Sequence, residues 1–144
     1  MKNVLLVEHE ELSSRLSTAL LQDYLADMKI DVEFCTFDSL LQKEKGTYEM
    51  LIIVMVDCQH IELIEGIIKR DYEIPVLIYS TLSEVDYGVH LLRLGVKGYL
   101  SPHSSEYEIR SALSLVLKNQ LYLSEHLFVN FFDVITGGGV DSEK

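Results

Sequence analysis

The side chains able to do chemistry fall just after apolar runs. Glu8 and His9 follow Val4-Leu5-Leu6-Val7, Asp57 and His60 follow Met50-Leu51-Ile52-Ile53-Val54-Met55-Val56, Ser80 closes Val76-Leu77-Ile78-Tyr79, and His103 comes soon after Leu100. Carboxylates and a hydroxyl so placed suit a divalent cation and a phosphoryl group, since both need oxygen donors. His9, His60 and His103 with Glu8 could instead form a zinc set, because imidazole and carboxylate are zinc ligands; the plainer reading of loop histidines is that they are solvated. The third run carries no carboxylate inside it. Val54, near its carboxyl end, can neither take a phosphoryl group nor bind a metal, and Asp57 is the first carboxylate beyond it. No glycine-rich phosphate loop follows the first run, which counts against ordinary mononucleotides.

Alternating elements must position these residues. The first and third runs are continuously apolar, as in strands buried on both faces. Leu12, Leu16, Leu20 and Leu21 recur at helical spacing and predict a helix over about 10–28. A second strand is predicted over 30–37 and a short helix over 39–45, capped by Asp38 and ended by Gly46. The third strand takes 50–56, and Ile61, Ile64, Ile67 and Ile68 predict a helix to about 70. Pro75 opens a fourth strand over 76–79, acceptable at a strand start. Ser83 can cap a helix to about Leu94, followed by Gly95, and a fifth strand covers 96–100. Ser105-Glu106-Tyr107-Glu108 is a capping box, in which Ser105 and Glu108 satisfy each other's free backbone N–H groups, and a fifth helix follows. Five strands alternating with five helices predict one α/β domain with a parallel sheet covered on both faces, its crevice at the carboxyl ends of the strands.

Composition narrows the function. The length, 144 residues, suits one domain, and 48% apolar residues can build its core. A net charge of −11 opposes binding to a polyanion, so the domain by itself is a poor DNA binder. Two cysteines, Cys35 and Cys58, make neither a disulfide framework nor a zinc spacing and suit a reducing cytosol. No run is long enough for a signal peptide or a membrane span, which predicts a cytoplasmic protein with no membrane partner.

Four stretches carry a resemblance: Val4-Leu5-Leu6-Val7-Glu8-His9-Glu10, residues 48–54, residues 74–80 and Gly95-Val96-Lys97-Gly98-Tyr99-Leu100. They resemble the receiver domain of bacterial response regulators. The closing stretch, through Leu121-Tyr122-Leu123-Ser124, is similar to the subgroup with a C-terminal LuxR/NarL-type helix-turn-helix. The resemblance spans about residues 2–127 and implies a flavodoxin-like, doubly wound, five-stranded parallel sheet of order 2-1-3-4-5. It also implies a phosphorylation pocket of two adjacent acids, an aspartate ending strand three, a hydroxyl ending strand four, an aromatic in strand five and a lysine after it. At those places this chain has Glu8 and His9, Val54, Ser80, Tyr99 and Pro102. Nucleophile, lysine and one acid are missing together, so the expectation is a degenerate pocket: no enzyme activity, no metal and no cofactor. Asp57 is the alternative phospho-acceptor, although three extended residues place it about 10 Å past Val54.

Residues 1–120 are thus expected to form the receiver-like domain. Ser124 can cap a further helix within 121–136, where Leu127, Phe128, Phe131, Phe132 and Ile135 form one apolar stripe. Both sheet faces are already covered, so the stripe is expected to meet a second copy in a homodimer. An added sixth helix resembles the biofilm regulators of the curli and Vibrio-polysaccharide type. In the Vibrio type an aromatic-apolar-Ser/Thr-Arg segment there binds cyclic di-GMP. Here Tyr122-Leu123-Ser124-Glu125 stands in its place, and Glu125 repels a dianion. Residues 137–144, beginning Gly137-Gly138-Gly139, read as a linker. In the resembled subgroup a DNA-binding helix-turn-helix would follow, and contact with DNA is expected only through such a module, absent from these residues.

Overall fold

The computed structural model describes residues 2–8, 18–42, 48–70 and 73–124. Strands β1 (Lys2–Glu8), β2 (Ile30–Thr36), β3 (Met50–Met55), β4 (Val76–Ser80) and β5 (Gly98–Leu100) form one sheet of order β2-β1-β3-β4-β5. Every neighbouring pair is parallel. Helices α1 (Ala19–Asp27), α2 (Phe37–Gln42), α3 (His60–Arg70), α4 (Glu84–Leu94) and α5 (Glu106–Leu117) alternate with the strands. The predicted fold class and strand order are those observed.

Alternation along each strand divides the core in two. Val4, Leu6, Met50, Ile52, Val54, Leu77, Tyr79 and Leu100 pack with Leu21 and Leu25 of α1 and Ile109, Leu113 and Val116 of α5. Leu5, Val7, Leu51, Ile53, Met55, Val76, Ile78 and Tyr99 face Leu40 of α2, Ile64 and Ile67 of α3, and Leu91 and Leu92 of α4. Both faces of β3 are covered, so all six of its residues are buried, and that requires the unbroken apolar run. The edge strand β2 is only partly covered, and Phe34 on it is 52% exposed.

Helix ends largely follow their sequence signals. Ser83 Oγ accepts from the Asp86 N–H at 3.3 Å. The predicted capping box at α5 is present: Ser105 Oγ accepts from the Glu108 N–H at 3.1 Å, and Glu108 Oε1 accepts from the Ser105 N–H at 2.7 Å. Gly95 has φ 114°, with Gly95 N–H bonded to the Leu92 carbonyl and Val96 N–H to that of Leu91. This is a Schellman ending. Asn119, at φ 60°, repeats it after α5, with Asn119 N–H on Val116 and Gln120 N–H on Leu115.

Some element bounds differ from expectation. Phe37 begins α2 and does not end β2, and the cap is Thr36 rather than Asp38: Thr36 Oγ1 accepts from the Ser39 N–H at 3.1 Å. The chain turns early because Phe37, 3% exposed, belongs to the α2–α3 layer, where its ring stands 5.2 Å from that of His60. The fifth strand starts at Gly98 and not at Val96, since the Val96 N–H is used to end α4. The third strand stops at Met55, one residue short of Val56. The predicted helix start near Glu10, the Gly46 stop, and everything expected over 125–144 lie outside the described residues.

Candidate functional site

The carboxyl ends of β1, β3, β4 and β5 form one rim. Parallel register sets Val7 beside Ile53, Met55 beside Ser80, and Tyr79 beside Leu100. Glu8 ends β1, half-buried, and burial raises its carboxyl pKa above the usual carboxylate value. Its sequence neighbour His9 lies outside the described residues. Val54 is 3% exposed and packs in the apolar layer between the sheet and α1 and α5, together with Tyr79 and Leu100. Asp57 sits half-buried two residues beyond the end of β3. Its Oδ1 accepts from the Gln59 N–H at 2.9 Å, and its carbonyl accepts from the His60 N–H at 3.0 Å. These bonds make Asp57 the cap that leads the chain into α3.

Ser80 is fully buried, and its hydroxyl accepts from the Leu82 N–H at 3.0 Å. Tyr99, 3% exposed, donates from its phenol to the Leu82 carbonyl at 2.7 Å. The two residues therefore grip the backbone of Leu82 in the β4–α4 loop from both sides. Burial pushes the Tyr99 phenol up to about 12, against a smaller opposing effect of a hydrogen bond from Ser80. Pro102 is half-buried and brings neither a charge nor a backbone donor to the loop after β5. That loop is tied by serines: Ser104 Oγ accepts from the Ser101 N–H at 3.0 Å, and Ser101 Oγ from the His103 N–H at 3.1 Å.

His60 departs from the loop position expected of it. His60 is the first residue of α3, 4% exposed against Phe37, and not a solvated loop residue, whereas His103 is exposed. Among the described residues no group of three or more His, Cys, Asp or Glu could hold a metal ion. A magnesium ion, which the resemblance implies, does not fit the described donor set: among the described residues Glu8 is the one carboxylate at the end of β1, and Val54 offers an alkyl group where an oxygen ligand is needed.

One part of the rim escaped the sequence reading. After α5 the segment Leu121-Tyr122-Leu123-Ser124 runs along the free edge of β5, with the Tyr122 N–H on the Lys97 carbonyl at 2.8 Å. Tyr122 packs into the α1–α5 layer and Leu123 against the α3–α4 layer, the alternation of an added strand. Ser124 Oγ donates to the carboxylate of Glu84, 2.9 Å from each oxygen. Gly98 lies beneath this segment, where a Cβ would meet Leu77 Cδ1 at 2.7 Å and Tyr122 Cβ at an ordinary 3.5 Å. Glu84 was not singled out as a site residue, and Tyr122 and Leu123 were weighed only as the counterpart of a cyclic di-GMP segment; the apolar alternation of 121–124 directly after a helix end was the available signal.

With this geometry the comparisons can be read. No family model and no curated protein matches the chain. Solved structures do. The non-phosphorylated HemR receiver domain from Leptospira biflexa is 19% identical, with a TM-score of 0.62 over 81% of this chain and 94% of that one. RcsB from Salmonella enterica serovar Typhimurium, solved bound to a promoter with a phosphomimetic, is 14% identical, with a TM-score of 0.71 over 94% of this chain and 69% of that one. A LuxR-family DNA-binding response regulator from Silicibacter pomeroyi is 18% identical, with a TM-score of 0.68 over 88% and 99%. The fold is therefore that of response-regulator receiver domains, LuxR-type regulators included.

Proposed function

We propose that the chain is a phosphorylation-independent receiver-like module that serves signal input and dimerisation in a bacterial transcription regulator. The observation that carries this reading is Val54, an aliphatic side chain 3% exposed and committed to the apolar core near the tip of β3. Pro102 supplies no cation at the neighbouring exit, and Glu8 prefers its protonated form more than a solvated carboxylate does. Phosphoryl transfer depends on charge neutralisation by metal and lysine. With Pro102 at the lysine position and an alkyl group at Val54, Ser80 and Tyr99 are left as a packed clamp on the β4–α4 loop.

Acetyl phosphate and magnesium followed by intact-mass measurement tests the reading. The expected spectrum holds no phosphoryl adduct; an adduct that disappears in Asp57→Asn overturns the reading in favour of an active phospho-acceptor at Asp57. That second reading is favoured by the half-buried, rim-side place of Asp57, and opposed by its use as a helix cap. A cyclic di-GMP site at 122–125 is disfavoured, because Tyr122 is 8% exposed and its ring is already packed in the core.

In this reading the stripe Leu127, Phe128, Phe131, Phe132 and Ile135 carries a homodimer contact. DNA is met by a separate helix-turn-helix module, as the charge of −11 on this one requires. Among the described residues no helix is long and apolar enough to cross a membrane. Cys35 and Cys58 are not joined in a disulfide, which suits the cytoplasm, where we place the protein.

A further inference from the structure

The outward face of α5 carries exposed apolar surface. Tyr107 is 80% exposed, and Leu121, just past the helix, is 43% exposed. With Ser111 and Leu115 they line a groove of about 680 Å³ between α5 and the segment 121–124. A second depression of about 460 Å³ adjoins it, bordered by Tyr107, Ser111 and Leu115 again and by Arg110 and Ser114. Ser111 and Ser114 leave room there, because they are small and their hydroxyls can bond to carbonyls of their own helix. Arg110 directs its charge elsewhere. Its Nη2 donates to Asp27 Oδ2 at 2.7 Å and its Nε to Glu106 Oε2 at 2.9 Å, and its guanidinium lies 4.9 Å from the centre of the Tyr24 ring. Its aliphatic stem is what borders the groove. Contiguous apolar surface of this kind marks protein contacts.

The sequence carries a matching surface. Leu127, Phe131 and Ile135 recur at helical spacing, with Phe128 and Phe132 beside them. Tyr107, Ser111 and Leu115 have the same spacing on α5, and each row is about 12 Å long at 1.5 Å per residue. Rows four residues apart pack into one another's grooves, the commonest way two helices meet. Here phenyl rings on one row would face serines on the other, so large side chains fill the space that small ones leave. A second copy brings the stripe to this groove more readily than the chain's own continuation. Helices α4 and α5 cover opposite faces of the sheet. Ser124 is bonded to Glu84 on α4, and Glu125 and His126 alone separate it from Leu127. The chain would have to recross the sheet edge within about 10 Å of extended backbone. Area also suits a dimer. Three phenylalanines from each copy, at about 150–250 Å² apiece, bring about 900–1,500 Å² to a reciprocal contact. A stable interface needs about 1,000 Å², and the groove's own surface adds to that figure.

We propose that the groove on α5 receives the 127–135 stripe of a second copy, each copy giving its stripe and taking the other's. The inference rests on the dimer reading above and adds the surface that receives the stripe. Because each copy offers both halves, the exchange closes as a two-fold pair. Leu121 and Leu123 line the groove as well, so the partner braces the segment that follows α5.

The test is sedimentation velocity of the whole chain with two blocked grooves. Tyr107→Glu removes the exposed ring and suits the first turn of a helix. Ser111→Arg puts a bulky charge in the middle of the groove. Each should raise the dimer Kd by roughly tenfold or more, because an unpaired charge is then buried at the contact. Leu63→Glu makes a like change on the exposed side of α3 and should leave the Kd unaltered. Circular dichroism checks folding, and Tyr107→Glu, at a site 80% exposed, carries the test should Ser111→Arg fail to fold. Mixing completes it. A blocked-groove variant keeps an intact stripe, and Phe131→Asp keeps an intact groove. Each alone should be monomeric, whereas native mass spectrometry of the equimolar mixture should show a mixed pair that outnumbers both same-variant pairs. A parent dimer indifferent to both groove variants overturns the groove and leaves the dimer reading standing. A monomeric parent overturns both. Monomeric single variants that form no mixed pair overturn the exchange.

Discussion

At the residue scale, Val54 and Asp57 separate the two readings of the rim, and burial separates them physically. Val54 is sealed in an apolar layer, while Asp57 already serves the backbone of the β3–α3 turn. Val54→Asp places a carboxylate where water cannot reach it, and it should destabilise the fold by about 3 kcal/mol or more, read from urea midpoints. Asp57→Ala should cost about 1 kcal/mol, the usual loss of a side-chain cap, measured in the same way. Glu8 gives a pH signature. Its folded pKa lies above the unfolded one, so the native state binds more protons over the interval between them. Stability should therefore fall as pH rises from about 4.5 through the raised folded value. Glu8→Gln should remove that fall, so urea midpoints of parent and variant that run parallel across the interval would contradict the assignment.

At the element scale, the chain returns to the sheet edge beside β5. The Tyr122 N–H reaches the Lys97 carbonyl there, one residue before the strand begins. Tyr122 anchors this contact, and Tyr122→Ala should cost about 3 kcal/mol, as for other buried aromatic truncations. Gly98→Ala should cost about 1–3 kcal/mol by overpacking against Leu77 in the fully buried layer, and should also raise amide exchange at Tyr122. Ser105→Ala removes half of the α5 capping box and should cost about 1 kcal/mol. Thermal or urea denaturation checks each value, and a neutral Gly98→Ala would mean that Leu77 gives way without strain.

At the scale of the whole molecule, the domain is a scaffold with two chemically distinct corners on one rim. In the proposed reading the corner at β1 and β3 is silent in phosphoryl chemistry, and the corner at β4 and β5 holds a cavity lined by Glu84 and Glu108. Dimerisation through the apolar stripe predicts that Phe131→Asp shifts sedimentation from dimer to monomer; an unchanged dimer would place the contact elsewhere. Magnesium should leave the thermal midpoint where it is, since binding only stabilises a fold that offers a site.

The sequence by itself determined the order of elements, the five strands, the Ser83 cap and the capping box at Ser105, because each rests on local patterns of a few residues. The resemblance singled out Ser80 and Tyr99, and the structure joins both to Leu82. Only the tertiary structure decided that His60 is a core residue against Phe37, and that Thr36 rather than Asp38 starts α2. It alone brought Glu84, Glu108 and Tyr122 to one cavity from three places in the chain. Hydrophobic period records which face of an element is buried, but contacts across the sheet depend on register and on where the chain returns after α5. No run of neighbouring residues contains that information.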